Sequence, residues 1–198
     1  MPNNVPAREL ERRLPGIALV AEGKHRLVAY MDREIIQATR VLIVDDTLAN
    51  IELLERVLQQ AGYKDISRTT DPRNALELFG VYKPDLILLD LMMPHVDGLS
   101  LMKQLRSRIP DGHYLPIIVL TADVTAAKKR QALSLGAKDF LTKPFDVMEI
   151  TLRVNNLAET RWLYRQLQER LKTLEDATSN PERSADTPDH SVSPAGLQ

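Results

Sequence analysis

The chain has no cysteine among its 198 residues, which excludes disulfides and thiolate metal centres and suits a reducing compartment. It also lacks any apolar run near the ~18–20 residues that a membrane-spanning helix needs. The N-terminus carries Pro, Arg and Glu where a secretion signal would place its apolar stretch. An excess of charge of either sign is missing as well. The 26 basic and 27 acidic residues leave a net charge of −1, so bulk electrostatics give no reason for direct binding to nucleic acid. These absences predict a cytoplasmic protein with neither membrane nor nucleic acid among its partners. What is present is a hydrophobic content of 43%, enough for a packed core in one domain with extensions.

Residues 1–39 show little pattern. Pro2, Pro6, Pro15 and Gly16 interrupt the start, and Met31 is a plausible alternative initiator followed by a short polar lead into the first strand. From residue 40 the pattern is regular. Strands are predicted at 41–45, 66–69, 85–90, 116–121 and 138–142, with helical spacing between them. Leu54, Val57, Leu58 and Ala61 recur at i, i+3, i+4 and i+7, with Gly62 in the position that closes a helix. Asp71-Pro72 opens a second helix, Met102, Leu105 and Ile109 mark a third, and residues 125–135 form a fourth. Asp146 with Glu149 reads as a capping box for a fifth. Five βα units of this size imply a doubly wound α/β domain, a parallel sheet covered on both faces. Ligand sites in such sheets lie outside the carboxyl ends of the strands.

Four of the apolar runs end in polar groups. Asp45 and Asp46 follow Val41 to Val44, Asp90 follows Leu86 to Leu89, Thr121 follows Ile117 to Leu120, and Lys143 follows Phe140 to Thr142. Parallel strands bring these ends to one sheet edge. Carboxylates gathered there repel by roughly 4 kcal/mol per pair at ~4 Å and an effective dielectric of about 20, so protons or a cation must compensate. Hard oxygen donors without a strand-end histidine favour Mg²⁺ (or Mn²⁺) over zinc. A carboxylate is also a nucleophile toward phosphorus, and a lysine and a threonine hydroxyl would then serve the phosphoryl oxygens. Asp90 is the candidate acceptor and catalytic group, with Lys143 and Thr121 beside it. A cis Lys143-Pro144 bond would aim the ammonium into the pocket.

The segments Val41 to Asp46, Asp90-Leu91-Met92-Met93-Pro94-His95-Val96-Asp97-Gly98, Thr121-Ala122 and Lys143-Pro144-Phe145 resemble the receiver domain of two-component response regulators, over about residues 40–158. The resemblance implies a flavodoxin-like (βα)5 fold with strand order 2-1-3-4-5. It implies that Asp90 accepts a phosphoryl group from a sensor histidine kinase or phosphotransfer protein. It further implies that Asp46, Asp90 and the backbone carbonyl of Met92 hold Mg²⁺, with Asp45 acting through water. Phe140 matches the aromatic that swings inward with Thr121, and Ala122 leaves room for the swing. Met92 stands where the family often has an amide or acid that orients attacking water, and a thioether does this poorly, which predicts slow loss of the phosphoryl group. Family members also use the face bearing Lys128, Lys129, Arg130, Lys138 and Asp139 for dimer or partner contacts.

Past the domain, Ile150, Leu157, Tyr164, Leu167, Leu171 and Leu174 keep a 3–4 spacing, interrupted by Arg153 and Thr160. This predicts a helical extension over 159–177 and a homodimer through a coiled coil. The Ser-, Pro- and Asp-rich residues 178–198 read as disordered. The expectation is a single-domain phosphoacceptor switch rather than an enzyme. Two alternatives remain open on sequence. A haloacid-dehalogenase-like aspartate phosphatase uses the same nucleophile, but needs a second acid where Met92 stands. A structural adaptor would work through the C-terminal helix alone. Asp97-Gly98 reads as turn and helix-start chemistry. His95 is expected to be an exposed loop residue, and His25, His113 and His190 form no constellation.

Overall fold

The computed structural model describes residues 33–179 except 95, 123 and 124. The readings for residues 1–32 and 180–198, and for His25, His95 and His190, fall outside the described residues.

In chain order the elements are α1 (Arg33–Ala38), β1 (Arg40–Val44), α2 (Leu48–Gln60), β2 (Asp65–Thr69), a 3-10 turn (Pro72–Asn74), α3 (Ala75–Tyr82), β3 (Leu86–Asp90), α4 (Gly98–Ser107), β4 (Ile117–Thr121), α5 (Ala126–Ser134), β5 (Asp139–Thr142) and α6 (Val147–Ser179). All strands of the main sheet are parallel, in the order β2-β1-β3-β4-β5. Met92–Met93 and Val96–Asp97 form a short antiparallel ladder between β3 and α4.

β1, β3 and β4 are continuous apolar runs because both faces of each are covered. Alternate residues enter separate cores. Val41, Ile43, Leu86, Leu88, Ile118 and Leu120 pack with Leu54 and Leu58 of α2 and with Ile150 and Val154 of α6. Leu42, Val44, Ile87, Leu89, Ile117 and Val119 face Ala75 of α3, Leu101 and Leu105 of α4, and Ala132 of α5. This is the doubly wound arrangement expected from the sequence, and the turn after α2 closes on Gly62 at a φ of +102°.

Several details differ from the sequence expectation. The stretch expected to be a polar lead contains α1, whose Ile35 is 6% exposed and joins the first core. Six residues with one buried side chain are too few to show a period. The 3-10 turn, capped by Asp71 accepting from the Arg73 N–H at 2.9 Å, precedes the second expected helix, which starts only at Ala75. α4 ends at Ser107, and Ile109 packs on the second core from the following turn. α6 continues through Thr178 to Ser179, past the expected start of the disordered tail.

The chain divides into two compact units between Leu163 and Tyr164. The first unit therefore extends past the expected boundary at 158. Trp162 packs against the first core, and Arg161 donates to the Tyr114 carbonyl at 2.6 Å and faces buried Asp85 at 3.5 Å. Asp85 also accepts from the backbone and side chain of Arg40, both at 3.2 Å, at the amino end of the sheet. Tyr63 Oη donates to Asn155 Oδ1 at 2.9 Å and so ties the end of α2 to α6 inside the core. The second unit is helical through Ser179, with Leu167, Leu171 and Leu174 all at least half exposed.

Candidate functional site

Parallel alignment delivers the polar strand ends to one edge. Asp45 follows the last residue of β1, Asp90 ends β3, Thr121 ends β4 beside Thr142, and Lys143 follows β5. Carboxylate oxygens of Asp45, Asp46 and Asp90 lie within 4.8 Å of one another, the one such acidic cluster among the described residues. Asp45 and Asp90 are buried, whereas Asp46 is half-buried. Lys143 Nζ reaches between the two buried acids, 2.6 Å from Asp90 Oδ2 and 2.8 Å from Asp45 Oδ2. Its own backbone N–H donates to the Thr121 carbonyl at 2.9 Å, and the Lys143–Pro144 peptide is cis.

The three acids are held differently. Asp45 accepts from the Thr47 N–H at 2.9 Å and from Asn50 Nδ2 at 3.0 and 3.1 Å, besides Lys143. Both its oxygens therefore already bear protein donors. Asp90 Oδ1 accepts the Met92 N–H at 3.0 Å. Asp46 accepts a weak hydrogen bond from Thr47 Oγ1 at 3.4 Å. One ammonium among three carboxylates leaves an excess of negative charge facing solvent at Asp46. All-oxygen donors, partly open to water, fit a small hard dication such as Mg²⁺ and do not fit a soft metal.

Burial pushes the Asp90 carboxyl above its usual range, and the nearby Asp45 charge adds to this, against the pull of Lys143 and the Met92 N–H. Burial acts to lower the Lys143 ammonium, but its bonds to Asp45 and Asp90 outweigh that and hold it above its ordinary value. The two partners experience one contact differently. Lys143 has two carboxylates to offset its burial, whereas Asp90 shares a single ammonium with Asp45.

The other site residues also lie near this edge. Thr121 is 2% exposed, Ala122 is exposed, and Phe140 is half-buried at the margin of the second core. The Met92 side chain is 52% exposed, so no core contact fixes the thioether. Asp97 caps α4, accepting from the Leu99 and Ser100 N–H groups, both at 3.2 Å.

Two contributors take roles at the site that the sequence did not assign them. Asn50, in the first turn of α2, holds Asp45 from the side, and the bend of the chain between the two places it there. Gly98 sits against the chain around the acceptor: a Cβ there would fall 2.4 Å from Leu91 Cα and 2.6 Å from the Asp90 carbonyl oxygen. Its place after Asp97 suggested a turn, but the requirement is close backbone approach.

Comparison with known proteins agrees with this geometry. Response regulator MprA of Mycolicibacterium vanbaalenii is 42% identical over 118 residues, covering 60% of this chain and 49% of that protein. Response regulator PleD of Caulobacter vibrioides is 37% identical over 133 residues, covering 67% of this chain and 29% of that protein. The chain thus spans half or less of the length of these relatives. The solved receiver domain of the Francisella response regulator 1452 shares 33% identity at a TM-score of 0.56, covering 62% of this chain and 98% of that one. No helix among the described residues is long and apolar enough to cross a membrane. The family model of the response regulator receiver domain matches residues 41–155, and with the sheet order and the aspartate–lysine edge in place the chain belongs to that family of two-component signalling domains.

Proposed function

We propose that the chain is a phosphoacceptor switch in which Asp90 takes a phosphoryl group from a phosphohistidine of a sensor kinase or phosphotransfer protein. The observation that carries this reading is Lys143 Nζ lying between Asp90 and Asp45, with Asp46 alongside. A carboxylate oxygen of Asp90 forms the bond to phosphorus as the N–P bond breaks, and the electron pair returns to the imidazole nitrogen. Lys143 offsets charge on the phosphoryl oxygens, and the Thr121 hydroxyl donates to one of them. Asp46, Asp90 and the Met92 carbonyl would hold Mg²⁺ (or Mn²⁺), with Asp45 acting through water, and the ion would supply the remaining charge compensation.

The output is a change of shape. Thr121 moves toward the phosphoryl group, and Phe140 follows into the space left beside Ala122. Because Phe140 has no hydroxyl, the signal is the altered surface of α5, β5 and α6, which passes to a partner protein or a second protomer. The chain is a cytoplasmic regulator and not a phosphatase, since Met92 supplies no second acid. Neither membrane nor nucleic acid is a direct partner.

The test is incubation with a small acyl phosphate donor and Mg²⁺. One phosphoryl group should form, located on Asp90 by reductive trapping, and Asp90→Asn should abolish it. Repeated turnover of phosphate esters would overturn the reading.

A further inference from the structure

The helical residues from Tyr164 onward carry an apolar seam in strict heptad phase. Tyr164 and Leu171 stand seven apart, as do Leu167 and Leu174, and the two pairs interleave at three and four. These are the a and d positions of a coiled coil. Leu167, Leu171 and Leu174 are 55%, 50% and 63% exposed. Leu163, at the g position that flanks this seam, is 54% exposed. The same phase reaches upstream to Leu157, but Leu157 packs against the first core of its own domain, so the part available for pairing begins after it.

Charge selects the occupant and its direction. Arg170 falls at g and Glu175 at e of the next heptad, five residues on. In a parallel, in-register pair, g of one helix faces e five residues on in the other. Arg170 then meets Glu175 of the partner subunit, and symmetry repeats the pair. The antiparallel arrangement that keeps the four apolar layers matched sets Arg170 against the partner's Arg170 and loses this complementarity.

We propose that residues 164–179 pair with the same segment of a second copy of this chain as a parallel, in-register two-stranded coiled coil. The inference gives the proposed switch its partner but rests on the helix alone, not on the chemistry at Asp90. Four apolar layers make a short coil, so assembly should depend on concentration.

Sedimentation equilibrium of the full chain, over on the order of 1–200 µM, should move the mass from 22.4 kDa toward twice that value. Leu171→Asp should raise the dissociation constant about tenfold or more while leaving the melting of the receiver domain unchanged. Arg170→Glu should weaken the dimer severalfold, and adding Glu175→Arg should restore it. Because the chain has no cysteine, Leu174→Cys provides a clean test of direction, and oxidation should link two parallel chains in high yield. A mass of 22.4 kDa throughout, or a dimer indifferent to Leu171→Asp, would overturn the proposal. A dimer in which Leu174→Cys fails to crosslink and the charge swap fails to rescue would overturn the parallel arrangement. Asp90→Asn leaves the helix untouched. A chain that takes no phosphate yet dimerises through Leu171 would sink the phosphoacceptor reading and leave this one standing.

Discussion

Lys143 Nζ donates to Asp90 Oδ2 across 2.6 Å, yet the Asp90 carboxyl remains harder to ionise than a free aspartate. Burial and the neighbouring Asp45 charge outweigh the ammonium. A carboxyl whose affinity for protons is raised by folding favours the native state when protonated. Its ionisation works against folding as pH rises from 3.8 through the raised native value. In metal-free protein, Asp90→Asn should therefore melt higher than wild type above that native value. The advantage should shrink as pH falls and vanish below 3.8. Adding Mg²⁺ should stabilise wild type more than the variant and reverse the order, and differential scanning calorimetry across pH with and without Mg²⁺ checks both arms. A variant that melts lower at every pH would show that the Lys143 contact dominates instead.

Asn50 donates to both oxygens of Asp45, a carboxylate with no solvent exposure. Asn50→Ala removes those donors and leaves the charge to Lys143 and the Thr47 N–H. The expected loss is about 1–3 kcal/mol of folding stability, read by urea unfolding. A second readout is Mg²⁺ affinity, which should change because Asp45 is no longer held. Asn50→Asp should be worse than alanine, since it sets a second negative charge against a buried one.

Gly98 is fixed by backbone, not by a flexible neighbour. Its missing Cβ would lie 2.4 Å from Leu91 Cα and 2.8 Å from the Leu91 carbonyl oxygen, so Gly98→Ala must shift the segment after Asp90. The expected cost is about 1–3 kcal/mol in urea unfolding. The displaced segment includes the Met92 carbonyl, so Mg²⁺ affinity should fall in the same variant. A Gly80→Ala control, with nothing within 4 Å of the new Cβ, should do neither.

The contrast between Gly98 and β3 shows what the sequence could reveal. Leu86 to Leu89 is a plain apolar run because both sheet faces bury it, and the order of Asp45, Asp90, Thr121 and Lys143 follows from strand ends that parallel alignment must bring together. Such features are local in the chain. Asp85 acts on Arg40, 45 residues away, while Asn50 and Gly98 act across a single loop on Asp45 and on the chain at Asp90 and Leu91, and nothing in their immediate neighbours distinguishes them from an ordinary surface amide, turn glycine or strand acid. Helix α1 escaped for a related reason: its one buried residue, Ile35, finds its partners across the first core.

Met92 sits two residues after the acceptor with a 52% exposed side chain, while its N–H is engaged with Asp90 Oδ1. The backbone is therefore committed to the site and the side chain is not. A thioether is a weak acceptor and cannot orient a water molecule for attack on the acyl phosphate. Met92→Asn adds an amide that both donates and accepts, with no packing lost from the core. The phosphorylated variant should lose its phosphoryl group about tenfold faster than wild type, a change of roughly 1.4 kcal/mol in barrier. Decay followed on a phosphate-affinity gel after removal of the donor checks this. Met92→Leu should decay at the wild-type rate, because it keeps the bulk and adds no polar group. Equal decay of Met92→Asn and Met92→Leu would show that this position does not set the lifetime.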